Sequence, residues 1–391
     1  MKIEASDRIK ELGGYAFAEI DKIVESLKAK GIKPIDFGVG DPTVPTPKVI
    51  LNAAKKAIEK RKSSGYPSYI GSEEYRETIA KWNKKRFNIY LDPQKEITSN
   101  LGSKEAVFNF AEAFVNPNDY VLVPNPGYPP YERGARFAEA KIHYMNLLEE
   151  NNFFPNLDEI PKEVVKKSKI MWLNYPNSPT GKIASKKFYK EAIDFGHDNN
   201  IIIASDEAYS EIYFKEKPMS ILEIEKEGVI VVNSLSKRSA MTQWRVGWLA
   251  GDENIISIFK KLKTNIDSGT PTFIQDAAIA AYKDELHVEK SRKEYKKKME
   301  IITSSFKEIG LKDCTPESTI YVWQKTPDGL DSLQFAKKLL NPSIAIVGTP
   351  GQWISSKANG VNPGKNYVRF ALVPSIKQTE QAAEKISKLK F

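Results

Sequence analysis

From residue 97 to residue 250 the sequence alternates short apolar runs with helical patterns. The predicted strands lie at about 97–101, 120–123, 141–145, 170–173, 201–204, 229–232 and 246–250. This alternation is typical of an α/β fold with a mostly parallel sheet flanked by helices. Because crossovers between parallel strands are right-handed, the loops that follow the strands are expected along one edge of the sheet.

The 391 residues exceed a typical domain, so a second unit is expected. After about residue 265 the pattern changes, and a Lys-rich and Glu-rich helix at 285–308 is predicted to lead into a smaller α+β domain. Its predicted strands are at 318–324, 344–347 and 367–373, and its predicted helices at 332–340 and 377–388. We therefore predict a large domain at 45–285 and a small domain formed by 1–44 and 286–391.

Composition narrows the class of protein. Hydrophobic residues make up 41% and charged residues 28% of the chain, as in ordinary globular proteins. The net charge of +9 arises from lysines interleaved with glutamates along helices, so no nucleic-acid partner is expected. The single cysteine, Cys314, rules out an intramolecular disulfide and fits a reducing compartment.

No apolar run approaches membrane-spanning length, and the first residues lack an apolar signal-like region. A cytoplasmic protein without membrane association is therefore expected. The three histidines, His143, His197 and His287, are far apart and lack metal-ligand spacing, so no metal site is expected.

The segment 234–245 follows one apolar run and precedes another. It contains Lys237, with Ser234 and Ser236 close before it and Arg245 eight residues after it. Hydroxyls and a guanidinium can both donate hydrogen bonds to phosphate oxygens, and arginine can do so bidentately. A solvated turn that carries an incidental lysine is the alternative reading of these residues.

Two neighbouring strand ends carry further polar residues. Segment 174–181 reads Asn-Tyr-Pro-Asn-Ser-Pro-Thr-Gly, and segment 205–209 reads Ser-Asp-Glu-Ala-Tyr. Three consecutive strand ends are expected to converge on one place. A lysine that forms a Schiff base needs a lowered pKa, and in pyridoxal phosphate sites it accompanies an acidic partner of the pyridinium nitrogen. Asp206 is placed for that role.

Four segments together carry a resemblance to a known family. They are 174–181, 206–209, 234–245 and 367–370. In order and approximate spacing they are similar to the pyridoxal-phosphate-dependent aminotransferases of class I/II, fold type I. The resemblance covers almost the whole chain, and it implies pyridoxal 5′-phosphate as cofactor.

The resemblance implies a role for each residue around the cofactor ring. Lys237 resembles the lysine that forms the Schiff base and then moves the proton between Cα and C4′, and Asp206 resembles the pyridinium partner. Tyr209 and Asn177 are similar to the donors to the phenolate oxygen, and Tyr128 resembles the stacking aromatic. The structural alternatives are a surface lysine, a capping aspartate, a core tyrosine, a turn asparagine and simple packing of Tyr128.

Phosphate binding is implied for two groups of residues. The cofactor-binding set comprises Gly102, Ser103 and Lys104 at a predicted helix start, with Ser234, Ser236 and Arg245. Tyr66 resembles the tyrosine that reaches a phosphate across a dimer interface, which implies a homodimer. The loop 268–273 either serves the neighbouring site or simply connects the domains.

Substrate binding is implied mainly for Arg369, which is similar to the arginine that clamps the α-carboxylate of the amino acid. A structural salt bridge is the alternative, because an arginine on an apolar strand needs a partner. Gly40 and Asn177 are expected to complete the carboxylate site, and Tyr15 to line a lid.

The predicted function is transfer of an amino group from an L-amino acid to a 2-oxo acid by a ping-pong mechanism in amino-acid biosynthesis. Segments 66–82 and 234–251 look closest to the diaminopimelate branch, and an aspartate-like donor is the neighbouring choice. Gln243 departs from the glycine that relatives commonly carry there. A β-lyase or decarboxylase on the same fold, and a non-catalytic regulatory protein that binds the cofactor, are the alternatives.

Overall fold

The structure is a computed structural model that describes residues 1, 3–10, 12, 18–42 and 44–391. Tyr15, the predicted lid residue, lies outside these described residues. The helices are α1 Asp7–Lys10, α2 Ala18–Ala29, α3 Lys48–Arg61, α4 Glu73–Phe87, α5 Ser103–Phe114, α6 Pro129–Phe137, α7 Lys162–Val165, α8 Lys186–Asn199, α9 Leu235–Arg238, α10 Glu253–Lys263, α11 Thr272–Lys283, α12 Leu286–Glu308, α13 Ser332–Leu339 and α14 Ile376–Ile386.

The strands begin near the N-terminus and continue to the last part of the chain. They are β1 Ile35–Asp36, β2 Ile97–Asn100, β3 Tyr120–Asn125, β4 Lys141–Asn146, β5 Ser168–Asn174, β6 Ile202–Asp206, β7 Val229–Ser234, β8 Gly247–Gly251, β9 Tyr321–Lys325, β10 Ile346–Val347, β11 Thr349–Pro350 and β12 Tyr367–Ala371. None of the described helices combines the length and the apolar character that crossing a membrane requires.

The chain divides into two compact units. The small unit consists of Met1–Gly40, Lys297–Thr315 and Tyr321–Phe391, and the large unit of Asp41–Lys296 and Pro316–Ile320. The predicted limits were 44 and 285, whereas the units change after Gly40 and after Lys296, inside α12 rather than at its start.

The large unit is built on a seven-stranded sheet with the order β2-β8-β7-β6-β5-β3-β4. Strand β8 runs antiparallel to both of its neighbours, and the other strand pairs are parallel. The prediction of a mostly parallel α/β sheet is confirmed. Strand β8 is reversed because the chain between β7 and β8 contains only the single-turn helix α9, which is shorter than the usual parallel crossover.

Both faces of this sheet are buried, as the continuous apolar runs predict. Because successive side chains on a strand point to opposite faces, Val229 and Val231 pack in one apolar cluster, and Ile230 and Val232 in another. The first cluster includes residues of α3, α4, α8 and α11, and the second includes residues of α5, α6 and α10. Because helices cover both faces of the sheet, the polar side chains that can take part in a reaction lie at the ends of the strands.

The register of the large sheet aligns several strand termini. Asn174, the last residue of β5, pairs with Asp206, the last residue of β6. Gly247, the first residue of β8, pairs with Ser234 at the end of β7 and with Asn100 at the end of β2. One edge of the sheet therefore contains the ends of β2, β5, β6 and β7 and the beginning of β8.

The small unit contains an antiparallel sheet with the order β11-β12-β9 and a parallel pair formed by β1 and β10. Phe37 and Phe306 both pack against Phe370 of β12, with ring centroids 6.1 and 5.0 Å away. The predicted strand at 318–324 begins later, at Tyr321, because Thr319 has a left-handed φ of +74° and Ser318, which itself belongs to the large unit, bridges to Tyr213 of that same unit.

Candidate active site

Lys237 lies in the single-turn helix α9, three residues after the end of β7, and is half-buried. Ser234 caps this turn, since its Oγ accepts a hydrogen bond from the Ser236 backbone N at 3.1 Å. The Oγ atoms of Ser234 and Ser236 are themselves 2.9 Å apart. The predicted lysine and both predicted hydroxyls are therefore at the edge of the sheet where the strand ends meet.

Asp206 is 4% exposed and ends the adjacent strand β6. Its Oδ2 accepts a hydrogen bond from Tyr131 Oη at 2.7 Å, and its Oδ1 accepts one from the Ala208 backbone N at 3.1 Å. Burial raises the pKa of Asp206 to about 6, although both hydrogen bonds act in the opposite direction. A buried carboxylate is stabilised by a cationic or protonated partner, because burial removes the water that would otherwise solvate its charge.

Tyr131 was not predicted as part of the site. It lies in α6, is buried, and stacks on Trp172 at 4.9 Å between ring centroids. Tyr128, the predicted stacking aromatic, is 38% exposed and meets the Tyr131 ring edge-on at 5.8 Å. Tyr128 and Tyr131 are three residues apart, at the start of a helix that begins with two prolines. Residues at this spacing lie on one helix face, and this was the sequence signal for Tyr131.

The segment after β5 is fixed by its asparagines. Asn174 Nδ2 donates to the Asp206 carbonyl oxygen at 2.9 Å, which ties the two strand ends together. Asn177 is buried, and its Oδ1 accepts hydrogen bonds from the backbone N and the Oγ1 of Thr180. Its Nδ2 donates to the Asn174 carbonyl oxygen at 3.1 Å. Tyr209 is half-buried in the turns after β6.

The start of α5 lies beside Arg245. Gly102 precedes α5 with φ of +74°, and a Cβ there would be 2.3 Å from Arg245 Nη2. Arg245 Nη2 also donates to the Leu101 carbonyl oxygen at 3.3 Å. A Cβ on Gly247 would be 3.2 Å from the Ser103 backbone N, so β8 and the first turn of α5 are in close contact.

This arrangement suits an anion. The first amide groups of α5 have no partners within the helix, and the positive end of the helix dipole is there. Arg245 is exposed, with φ of +52°, and Lys104 is exposed on the first turn of α5. The structure thus brings Gly102, Ser103 and Arg245 together, and their role in binding a phosphate stays a prediction.

Gln243 is exposed and does not have a positive φ. Its backbone conformation therefore does not require the glycine that relatives commonly carry, and the departure has no visible effect on the turn.

Tyr66 is 89% exposed on the large unit. Its loop is attached to the sheet, because the Ser99 backbone N donates to the Ile70 carbonyl oxygen at 2.9 Å. An exposed tyrosine on a fixed loop is available to a second molecule.

Arg369 and Gly40 belong to the small unit. Arg369 Nη2 donates to the Gly38 carbonyl oxygen at 3.1 Å, and its guanidinium lies 4.7 Å from the centroid of the Tyr321 ring. Among the described residues, the buried Arg369 Nε has no hydrogen-bond acceptor. The alternative of a structural salt bridge is thus without a carboxylate partner in the described part of the chain. A Cβ on Gly40 would be 1.9 Å from Tyr321 Oη, so only glycine fits there.

Glu207 follows Asp206 but its side chain is buried in a different environment. Its Oε1 accepts hydrogen bonds from Ser205 Oγ, Ser220 Oγ and the Ile221 backbone N, and its Oε2 has no partner among the described residues. Burial raises the pKa of Glu207 from 4.5 to about 8, against the hydrogen bonds that it accepts. This raised pKa favours the protonated form of Glu207 at neutral pH.

This raised pKa predicts a pH dependence of stability. Between about pH 5 and pH 8 the folded protein retains a proton on Glu207 that the unfolded chain releases, so the free energy of unfolding falls as pH rises, by about 1.4 kcal/mol per pH unit. The variant Glu207→Gln should lack this contribution. The measurement is the difference in unfolding free energy between wild type and variant across this range. Glu216→Gln, at an exposed position, is the control; a difference that stays constant with pH would contradict the prediction.

Comparisons with known proteins agree with this geometry. A model of the family described as aminotransferase class I and II matches residues 32–386, and the chain belongs to this family. It is therefore an aminotransferase, an enzyme that moves an amino group from an amino acid to a 2-oxo acid, and the predicted family and reaction class are confirmed. Class I and II aminotransferases use pyridoxal phosphate.

Individual relatives match over their full length. LL-diaminopimelate aminotransferase of Aquifex aeolicus is 44% identical over 393 residues, which cover 99% of this chain and 100% of the relative. The enzyme of the same name from Maridesulfovibrio salexigens is 40% identical with the same coverage. The structure of apo-BacF from Bacillus subtilis superimposes with a TM-score of 0.91 at 34% identity, covering 99% of this chain and 98% of BacF.

Proposed function

We propose that this enzyme transfers an amino group from LL-diaminopimelate to a 2-oxo acid, with pyridoxal 5′-phosphate as cofactor and by a ping-pong mechanism. The observation that carries the cofactor assignment is the buried Asp206 carboxylate, on the strand next to the one that leads to Lys237. The full-length similarity to LL-diaminopimelate aminotransferases supports the choice of amino donor.

The residues of the large unit fit this cofactor. Gly102, with its positive φ and no Cβ, lets Arg245 lie against the start of α5, where the first amide groups would receive a phosphate. The proposed phosphate ligands are Gly102, Ser103, Lys104, Ser234, Ser236 and Arg245. Asp206 would accept the hydrogen bond of the pyridine N–H, and its carboxylate charge would keep that nitrogen protonated. When bound, the cofactor supplies an electron sink for the bond that breaks at Cα.

Other side chains of the large unit would orient the ring. Tyr128 would cover one face of it, and Asn177 and Tyr209 would donate hydrogen bonds to its phenolic oxygen. Lys237 would hold the cofactor covalently through Nζ and, once released by the amino substrate, would carry the proton at Nζ. Tyr131 would keep the Asp206 carboxylate in orientation through the 2.7 Å hydrogen bond.

We propose that the enzyme is a cytoplasmic homodimer in which Tyr66 serves the phosphate of the neighbouring subunit. The high exposure of Tyr66, on a loop that is attached to the sheet, supports this role.

The proposed reaction is tested with a panel of amino donors. LL-diaminopimelate, N-succinyl-diaminopimelate, aspartate and alanine are each supplied with 2-oxoglutarate, and glutamate formation is measured. We expect the highest kcat/KM with LL-diaminopimelate. A higher value with aspartate or the succinylated donor would reject this substrate, and release of pyruvate and ammonia from a cysteine-like substrate would indicate a β-lyase instead.

Arg369 is proposed to bind the substrate α-carboxylate, with Gly40 leaving room for its approach. Because the buried Nε has no acceptor among the residues that the structure describes, a carboxylate could satisfy it with a paired hydrogen bond that lysine cannot reproduce. The variant Arg369→Lys should raise KM for both amino donor and oxo acid by about 10–100-fold, as expected for hydrogen bonds to a charged group. The dissociation constant of pyridoxal phosphate should not change. Arg133→Lys, at an exposed position, is the control; an unaltered KM would show that Arg369 is structural.

A further inference from the structure

Lys263, the last residue of α10, is 0% exposed. Its ammonium Nζ lies 2.7 Å from Asp267 Oδ2 and 3.3 Å from Glu105 Oε2. A fully buried ammonium is rare and is retained only where carboxylates and hydrogen bonds compensate for its lost hydration. The two carboxylates belong to different segments, so this one cation joins α5 to the chain after α10.

The first branch leads to the proposed phosphate site. Glu105 lies in the first turn of α5, and its Oε2 accepts a hydrogen bond from the Leu101 backbone N at 3.2 Å. The Leu101 carbonyl oxygen accepts the hydrogen bond from Arg245 Nη2. Leu101 is thus held at both ends, and Gly102 follows it directly. Lys263 fixes the Glu105 carboxylate and therefore the backbone that opens the helix.

The second branch leads to the loop that carries Tyr66. Asp267 Oδ1 accepts a hydrogen bond from the Gly269 backbone N at 2.6 Å. Gly269 has φ of +83°, and a Cβ on it would be 2.5 Å from the Ser68 carbonyl oxygen. Thr270 Oγ1 donates to the Asn100 carbonyl oxygen at 3.0 Å. The segment 267–270 is therefore packed between the end of β2 and the loop of Tyr66.

We propose that Lys263 is a positioning residue for the cofactor phosphate: its buried ammonium fixes the start of α5 through Glu105 and the Tyr66 loop through Asp267. The proposal rests on the proposed function, since it assumes that pyridoxal phosphate binds there. Lys263 would increase the affinity for the phosphate group of the cofactor without contacting the cofactor itself.

The test compares pyridoxal phosphate with pyridoxal, which lacks the phosphate, by absorbance titration of apoenzyme. Lys263→Met should raise the dissociation constant of pyridoxal phosphate by about tenfold or more, and should leave that of pyridoxal within about twofold. Lys261→Met, at an exposed position on the same helix, is the matched control and should behave as wild type.

The melting temperature of each apoenzyme shows whether the variant is folded. If Lys263→Met is unfolded, Glu105→Ala carries the test, because it removes the hydrogen bond to Leu101 and leaves Lys263 paired with Asp267; it should show the same selective loss. Equal weakening of both ligands, or no weakening, in the folded variant would overturn the proposal. Failure of the wild-type protein to bind pyridoxal phosphate would instead reject the proposed function.

Discussion

Replacing Lys237 with alanine should lower kcat/KM for transamination by about 10⁴-fold, the upper range for removal of a positioned acid–base group. The structure supports so large an effect because Lys237 follows β7 directly and is half-buried in a turn capped by Ser234. Lys237 is the only lysine in the segments 174–181, 205–209 and 234–245, which follow β5, β6 and β7. Lys182 comes directly after the first of these segments, but its Nζ is paired with Glu317 at 2.8 Å. The measurement is steady-state kinetics of the purified variant with excess cofactor.

Two controls make this result specific. Lys186→Ala, at the exposed start of α8, should retain wild-type kinetics. The absorbance change that accompanies pyridoxal phosphate binding to wild type should also be absent or altered in Lys237→Ala. A Lys237→Ala protein with full transamination activity would eliminate this residue as the catalytic base.

Asp206→Asn should lower kcat by about 10²–10³-fold, the usual cost of removing one preorganised electrostatic group. The substitution keeps the shape of the side chain and can retain the hydrogen bond with Tyr131, but it removes the negative charge that would hold the pyridine nitrogen protonated. Cofactor affinity should fall much less than kcat, because the phosphate contacts are unchanged. Turnover and the dissociation constant of pyridoxal phosphate are measured on the same preparation.

Tyr131→Phe is the matched comparison for Asp206→Asn. It removes the 2.7 Å hydrogen bond and leaves the carboxylate in place, so we expect a smaller loss of kcat than for Asp206→Asn. Near-normal turnover of Asp206→Asn would show that the carboxylate has a structural role, such as capping the turn through Ala208.

The strands and helices were predictable where the pattern of apolar residues along the sequence determines the local structure. Buried parallel strands give continuous runs of Val and Ile, so β6 and β7 were located to within about two residues. Strand direction has no such signal, and the reversal of β8 could be inferred only from the short connection before it. Long-range contacts also lack a local signal, as Thr46 shows. Its Oγ1 donates to the Ala240 carbonyl oxygen and accepts from Trp244 Nε1, while Pro47 occupies the N-cap position of α3.

The site shows the same division. Lys237 and Asp206 were predicted because each follows a strand directly, and chain order alone places such residues at one edge of a parallel sheet. Tyr131 and Lys263 were missed, since their partners come from other elements. The spacing from Tyr128 was a weak signal for Tyr131, and the residues around Lys263 give none. The residues proposed to contact the cofactor were thus easier to find in the sequence than the residues proposed to hold those contacts in place.

The reversal of β8 has a consequence for how this enzyme can vary. Lys237 follows the end of one strand and Arg245 precedes the start of its antiparallel neighbour, so both belong to a single hairpin-like connection. Ala240 and Arg245 turn this connection with φ of +51° and +52°. The separation of the two side chains along the chain is therefore set by the number of residues between them. Side chains in the connection can change, as the exposed Gln243 illustrates, but a single insertion or deletion would move the lysine relative to the proposed phosphate site.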